Sequence, residues 1–259
     1  MTQSQDILLS ARGINKRFGA VVAAEDINID VPRGQRLSLI GSNGAGKTTF
    51  VNMVTGYLKP DSGRISLVGE DITALGPRQI TNKGVSRSFQ IPQLALEMNV
   101  LDNMLVAQAC GEGRLSFWEP AYSRQRVDAA MYLLERFMLQ DHARKKVAEL
   151  PGGVRKLLDI AMALTGEPKL LLLDEPTSGV SVAEKYPMMD TISEALNSTD
   201  VTVLFVEHDM DIVLRYAERI VAFYSGSVLA DGKPTDVLAD DRVKQHVTGH
   251  FAAAGSESC

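Results

Sequence analysis

The residues best able to do chemistry form a short run, Gly41-Ser42-Asn43-Gly44-Ala45-Gly46-Lys47-Thr48-Thr49. It fits the pattern G-x-x-x-x-G-K-[ST], which binds nucleotide phosphates. Glycines let the backbone curl so that successive N–H groups face phosphate oxygens. A helix starting at the end of the run adds unsatisfied donors and the positive end of its dipole. Lys47 is expected to reach the β- and γ-phosphates, and the Thr48 hydroxyl to bind Mg²⁺.

A second constellation is Leu170-Leu171-Leu172-Leu173-Asp174-Glu175, a continuous apolar run ending in two acids. A parallel strand buried on both faces reads this way, and ligands gather at its C-terminal end. Asp174 is expected to hold Mg²⁺, and Glu175 to act as general base on an attacking water. His208 ends another apolar run and is a candidate for contacting the γ-phosphate. Gln90, closing Arg87-Ser88-Phe89-Gln90, is a candidate for touching Mg²⁺ and the water.

The elements around these residues alternate between strand and helix, which favours an α/β core. Leu8–Phe18 and Ile27–Val31 read as antiparallel strands, and Gln35–Ile40 as a buried strand entering the glycine-rich run. A helix follows from about Lys47, with Gly56 placed to end it in the left-handed conformation. Arg64–Val68 is a further strand after the turn Asp61-Ser62-Gly63. From Glu97 to Ala163 the apolar spacing becomes helical: Met98, Leu101 and Leu105, then Met131, Leu134, Phe137 and Met138. This stretch reads as a helical subdomain inserted into the core. Strands return at Leu170–Asp174, Val201–Val206 and Arg219–Tyr224, with Ser225-Gly226 as a hairpin turn. The expected division is a core over 1–94 and 164–241, a helical subdomain over 95–163 and a tail over 242–259.

The chain has 259 residues, 45 % hydrophobic and 23 % charged, with a formal net charge of −5. Such a composition suits a globular protein, and the charge argues against a nucleic-acid partner. Cys110 and Cys259 lie far apart, so a disulfide framework is not indicated. No run approaches the roughly 20 apolar residues of a spanning helix, and the first residues lack the pattern of a secretory signal. Membrane work is therefore expected to go through a partner. Met131, Met138, Met162, Met188 and Met189 read as helix packing, and Arg144-Lys145-Lys146 as a solvated helix face. Trp118 marks either a contact loop or a buried anchor.

In this order, the motifs resemble those of the ATP-binding subunits of ABC transporters. The resemblance implies an α/β P-loop ATPase core, an N-terminal antiparallel β-subdomain and an inserted helical subdomain. It assigns Phe18 to stacking on adenine, Gly41–Thr49 to Walker A and Gln90 to the Q-loop. Leu150–Val154 falls at the signature, Leu170–Glu175 at Walker B, Ser178–Ser181 at the D-loop and His208 at the switch histidine. Pro151, Gly152 and Gly153 would then face the ATP of a second such domain. The implied cofactors are ATP and Mg²⁺. A finer similarity, to importers of branched-chain amino acids, lies in Gly84–Gln90, Met98–Ala107, the insert Gly111–Tyr122 and Glu207–Met210. It implies two permease subunits, a second ATPase subunit and an external binding protein, with this chain at the cytoplasmic face of the inner membrane. A lipid or lipopolysaccharide exporter shares every core motif, and the other alternative is a soluble ABC ATPase acting on DNA or ribosomes, against which the acidic balance and the lack of a long coiled coil count.

Two positions depart from the family pattern. The signature usually begins Leu-Ser-Gly-Gly-Gln, but here Pro151 offers neither a hydroxyl nor an N–H. Gly179-Val180-Ser181 lacks the aspartate common in the D-loop. One reading is an asymmetric heterodimer in which the Pro151 signature serves a slower site. The other is that backbone donors compensate and both sites turn over.

Overall fold

The computed structural model describes residues 6–111, 122–197 and 199–249. In chain order the elements begin β1 (Ile7–Phe18), β2 (Val21–Pro32), β3 (Arg36–Ile40), α1 (Lys47–Val54), β4 (Ser62–Leu67), β5 (Glu70–Asp71) and α2 (Pro77–Asn82). There follow β6 (Val85–Ser88), α3 (Val100–Gly111), α4 (Arg124–Arg136), α5 (Gly152–Ala163), β7 (Leu170–Asp174) and α6 (Val182–Asn197). The remainder is β8 (Thr202–Val206), α7 (Met210–Tyr216), β9 (Arg219–Tyr224), β10 (Ser227–Gly232), α8 (Pro234–Ala239), α9 (Asp241–Val243) and a π-turn, Lys244–Thr248. Two compact units are distinguished, one up to Lys83 and from Thr202 onward, the other Gly84–Val201.

The first unit holds an antiparallel sheet in the order β2-β1-β4-β5. In β2, Ile27, Ile29 and Val31 are buried while the residues between them are not, as strict alternation requires. The strand runs further back than Ile27, to Val21, because Val21, Val22 and Ala24 still pair with β1 at Phe18, Arg17 and Lys16, and Ala23 and Ala24 are buried. Strands β8, β3 and β9 lie side by side and parallel, with β10 antiparallel on β9. Strand β8 is buried throughout, which matches the apolar run from Val203, and its buried Thr202 hydroxyl accepts from Gly34 N–H at 2.8 Å. The β9–β10 hairpin turns at Ser225-Gly226, whose φ angles of 48° and 83° are those of a primed turn. Residues 242–248, assigned to a tail by sequence, are helical, and Val243 and Val247 are fully buried.

The second unit contains the parallel pair β6–β7 with α3, α4, α5 and α6. Buried Asn103 on α3 pins the preceding segment, accepting from Ala95 N at 2.9 Å and donating to the Ala95 and Asn99 carbonyls. Helix α4 stops at Arg136, before Phe137 and Met138 of the helical pattern. Met138 takes a left-handed φ of 58°, its N–H reaches Glu135 O at 3.0 Å, and Leu139 N–H reaches Leu134 O at 2.7 Å. This pair of bonds is a Schellman stop with methionine where glycine is usual. It buries Leu139 and turns Met138 to solvent at 69 % exposure, so Met138 is not the packing residue its spacing suggests. Arg144-Lys145-Lys146 is solvated but not helical. It lies between two short 3-10 turns, with Lys146 bridged to Asn99. Met98 likewise precedes α3 rather than joining it.

Cys110 is exposed with a free thiol, whereas Cys259 and Trp118 lie outside the described residues. Among the described residues, no helix is long and apolar enough to cross a membrane.

Candidate functional site

In the first unit, the Gly41–Gly46 loop leaves the C-terminal end of β3 and feeds α1. Gly41, Gly44 and Gly46 have φ of 151°, 77° and 108°. A Cβ on Gly41 would lie 2.5 Å from Phe223 O, and one on Gly46 would lie 2.6 Å from Ala23 O. Gly41 and Gly46 are thus required by close backbone approach as well as by φ, and Gly44 by φ alone. The hairpin turn supports the loop: Gly226 N–H donates to Ala45 O at 3.0 Å, and Glu25 N–H to Gly226 O at 2.9 Å.

Lys47 is 5 % exposed, and its Nζ donates to Gly41 O at 2.7 Å and Ser42 O at 3.1 Å. Both carbonyls belong to the loop itself, so the cation sits inside the curl it is meant to serve. Thr48 is exposed, Thr49 half-buried, and Asn43 exposed. Parallel pairing of Leu39 with Val206 brings the ends of β3 and β8 to one edge, so the loop and His208 emerge together. Buried Glu207 accepts the His208 N–H at 3.2 Å, and Asp209 caps α7. Phe18 is 51 % exposed at the end of β1, with Lys16 Nζ 5.6 Å from its ring centroid.

In the second unit, pairing of Ser88 with Leu173 brings Gln90, Asp174 and Glu175 to one edge in the same way. Gln90 Nε2 donates to Glu175 Oε2 at 2.8 Å. Glu175 has φ of 49°, a left-handed conformation that costs a non-glycine residue about 1–2 kcal/mol. Its carbonyl accepts from Ser178 N–H at 3.1 Å and Lys156 Nζ at 3.0 Å, which offset that cost. Arg87 reaches Asp174 Oδ2 at 2.5 Å, with the two side chains only 10 % and 11 % exposed. Pro151 forms the N-cap of α5 in extended backbone, with Gly152 and Gly153 opening the helix. Gly152 is exposed, and a Cβ on Gly153 would stand 4.0 Å from Val180.

Three residues here have no role in the sequence reading. Asp159, 7 % exposed on α5, accepts from Ser88 Oγ at 2.5 Å and from Phe89 N and Gln93 N at 3.2 Å. Burial pushes its carboxyl above the usual carboxylate range, against the hydrogen bonds that favour the ion. Lys156, three positions before it, also donates to Ser178 O. Arg87 is the third, visible in the sequence only as part of the Gln90 motif. The signal for the first two is a pair of charges at i and i+3, on one side of a helix, inside an otherwise apolar stretch, Leu157-Leu158 and Ile160-Ala161.

The sequence profile described as ABC transporter matches residues 24–178. A similar protein is the probable branched-chain amino acid transport ATP-binding protein LivG of Archaeoglobus fulgidus, 37 % identical over 93 % of this chain and 95 % of its own. The high-affinity branched-chain amino acid transport ATP-binding protein LivG of Escherichia coli K12 is 36 % identical, over 89 % of this chain and 93 % of its own. Among solved structures, a nucleotide-free ATP-binding cassette from an ABC transporter superposes with a TM-score of 0.81 at 32 % identity, over 92 % of this chain and 97 % of that one. An ATP-binding cassette of an ABC transporter in its ADP conformation does so at 33 % identity with a TM-score of 0.81, over the same 92 % and 97 %.

Proposed function

Because the chain belongs to the ABC transporter family, we propose that it is the ATP-hydrolysing motor of an importer for branched-chain or other hydrophobic amino acids. The observation that carries the motor reading is the edge holding Gln90, Asp174 and Glu175, with the Gln90 amide donating to the Glu175 carboxylate. The cargo class is supported by relatives named for branched-chain amino acid transport along nearly their whole length.

The chemistry is assigned residue by residue. Amides of Gly41–Gly46, with Ser42, Asn43 and Ala45, cradle the phosphates, and Thr49 extends the cradle into α1. Lys47 exchanges its loop carbonyls for phosphate oxygens. Phe18 offers an exposed ring to adenine. Glu175 takes a proton from water as the water oxygen bonds to the γ-phosphorus. The bond from that phosphorus to the bridging oxygen breaks, leaving ADP and inorganic phosphate. The Gln90 amide orients the carboxylate, and His208 contacts the γ-phosphate.

Thr48, Asp174 and Gln90 are hard oxygen donors of the kind Mg²⁺ takes alongside phosphates, and among the described residues no cluster of three His, Cys, Asp or Glu could cage a metal. When bound, Mg²⁺ supplies neutralising charge at the β- and γ-phosphates. The chain works at the cytoplasmic face of the inner membrane with two permease subunits, a second ATPase subunit and, indirectly, an external binding protein. Residues 95–163 form its helical subdomain, and Pro151, Gly152 and Gly153 face the second subunit's ATP.

Purified full-length chain with Lys47→Ala should lose binding of a fluorescent ATP analogue. Glu175→Gln should keep that binding, while hydrolysis in the assembled complex falls by about a hundredfold or more. Parental hydrolysis in Glu175→Gln would refute the base assignment. Proteoliposomes carrying the complex should accumulate labelled leucine only with ATP and binding protein. Failure to do so with an active ATPase would refute the cargo class.

A further inference from the structure

We infer that Tyr224 and His246 are positioning residues for the phosphate loop: their stacked rings fix the end of β9, on which that loop is built. The inference rests on the motor reading above. The last residues of β9 and the turn after it meet the nucleotide-binding elements at three points. Phe223 O leaves no room for a Cβ on Gly41, where the loop begins. The Phe223 ring meets that of Phe50 on α1, with centroids 5.8 Å apart. Gly226 N–H donates to Ala45 O near the end of the loop. Between these contacts lies Tyr224, the one residue of β9 exposed to solvent. Side chains alternate along a strand, so the Tyr224 ring leaves the sheet on the face opposite Phe223. There the His246 ring lies against it, with centroids 4.4 Å apart and planes inclined by 31°.

His246 belongs to the π-turn Lys244–Thr248, a rare conformation that is frequent at functional sites. The turn is itself anchored. Val243 and Val247 are fully buried on either side of His246, and Lys244 N–H donates to Asp240 O at 2.9 Å. A glycine-rich loop has more backbone freedom to lose than other loops. Nucleotide must find it curled, so the apparent Kd varies inversely with the fraction of molecules in which its footing is in place. The stacked pair raises that fraction from outside the site, since neither ring is assigned a contact with nucleotide. By linkage, whatever lifts residues 244–248 from Tyr224 weakens nucleotide binding, and bound nucleotide holds the C-terminal turn down by the same factor.

The test titrates a fluorescent ATP analogue into the purified full-length parent, His246→Ala, His246→Phe and Ile65→Val. His246→Ala should raise the analogue Kd about fivefold, the scale of one aromatic pair. His246→Phe, which keeps a ring against Tyr224, should stay within about twofold of the parent. Ile65→Val trims a fully buried side chain of β4, in the antiparallel sheet, and should lower the urea midpoint at parental Kd. In the assembled complex, His246→Ala should raise KM for ATP and leave kcat within about twofold of the parent. Parental Kd in His246→Ala would overturn the inference. So would His246→Phe matching His246→Ala, kcat falling at unchanged KM, or Ile65→Val raising Kd as much as His246→Ala does. If His246→Ala fails to fold by its melting curve, Tyr224→Leu removes the stack from the other side and decides by the same criteria. Parent and Lys47→Ala titrations in the same assay test the nucleotide site itself, so failure of the motor reading is told from failure of this one.

Discussion

At the scale of the residue, the phosphate loop shows two different reasons for glycine. Gly46 has φ of 108°, and a Cβ there would press on Ala23 O at 2.6 Å. Gly44 has φ of 77° and nothing within 4 Å of a Cβ. Gly44→Ala should therefore cost only the left-handed conformation, about 1–2 kcal/mol, and leave nucleotide binding nearly intact. Gly46→Ala must also displace backbone, and should cost more than that and abolish binding. Urea unfolding midpoints and analogue titration check both. The loop, Asp174 and Glu175 were legible in the sequence because each role demands a residue type at fixed spacing. Asp159 and Lys156 were not, because apart from Ser88 Oγ on Asp159 their hydrogen-bond partners described above are backbone groups whose positions no residue type announces.

At the scale of the element, α5 begins on a residue poorly suited to its place. Pro151 is the N-cap but makes no side-chain bond to the first turn. Serine there would accept from the N–H of Gly153 or Val154, a cap worth about 1 kcal/mol. Pro151→Ser should raise the melting temperature and, in the assembled complex, raise turnover at the site the signature serves. Unchanged ATPase would favour the symmetric reading, in which backbone donors already suffice. Helix ends were the least legible part of the fold. The 3.6-residue pattern of α4 runs through Phe137 and Met138, yet the chain stops at Arg136 because burying Leu139 and closing the Schellman bonds outweighs the strain at Met138. Strand β9, by contrast, keeps the limits Arg219–Tyr224 that its apolar run and the Ser225-Gly226 turn define.

At the scale of the whole molecule, acid stability follows from carboxylates whose pKa differs between folded and unfolded chain. Arg242, beside Asp240, lowers that carboxyl to about 2, and hydrogen bonds from Lys16 and Thr73 lower Asp61 and Asp71. A lowered folded pKa gives stability that is present above the unfolded value of 3.8 and lost as pH falls through the folded value. Asp159 runs the other way: its raised pKa gives a contribution present below 3.8 and lost as pH rises through its folded value. The melting temperature should therefore fall between pH 4 and about 2, and Asp240→Asn should make that fall shallower. Because its partner Arg242 is exposed, added salt should shrink the difference between variant and parent.

Lys47 is already seated on the Gly41 and Ser42 carbonyls, within a loop tied to the β9–β10 hairpin. A nucleotide arriving there trades one set of oxygens for another and has little chain to order. The thermodynamic consequence concerns heat capacity, which reports apolar surface removed from water and not the strength of polar contacts. Calorimetric titration of ATP into the isolated chain at several temperatures should give an enthalpy that hardly changes with temperature. A steep negative slope would mean that the loop folds around its ligand.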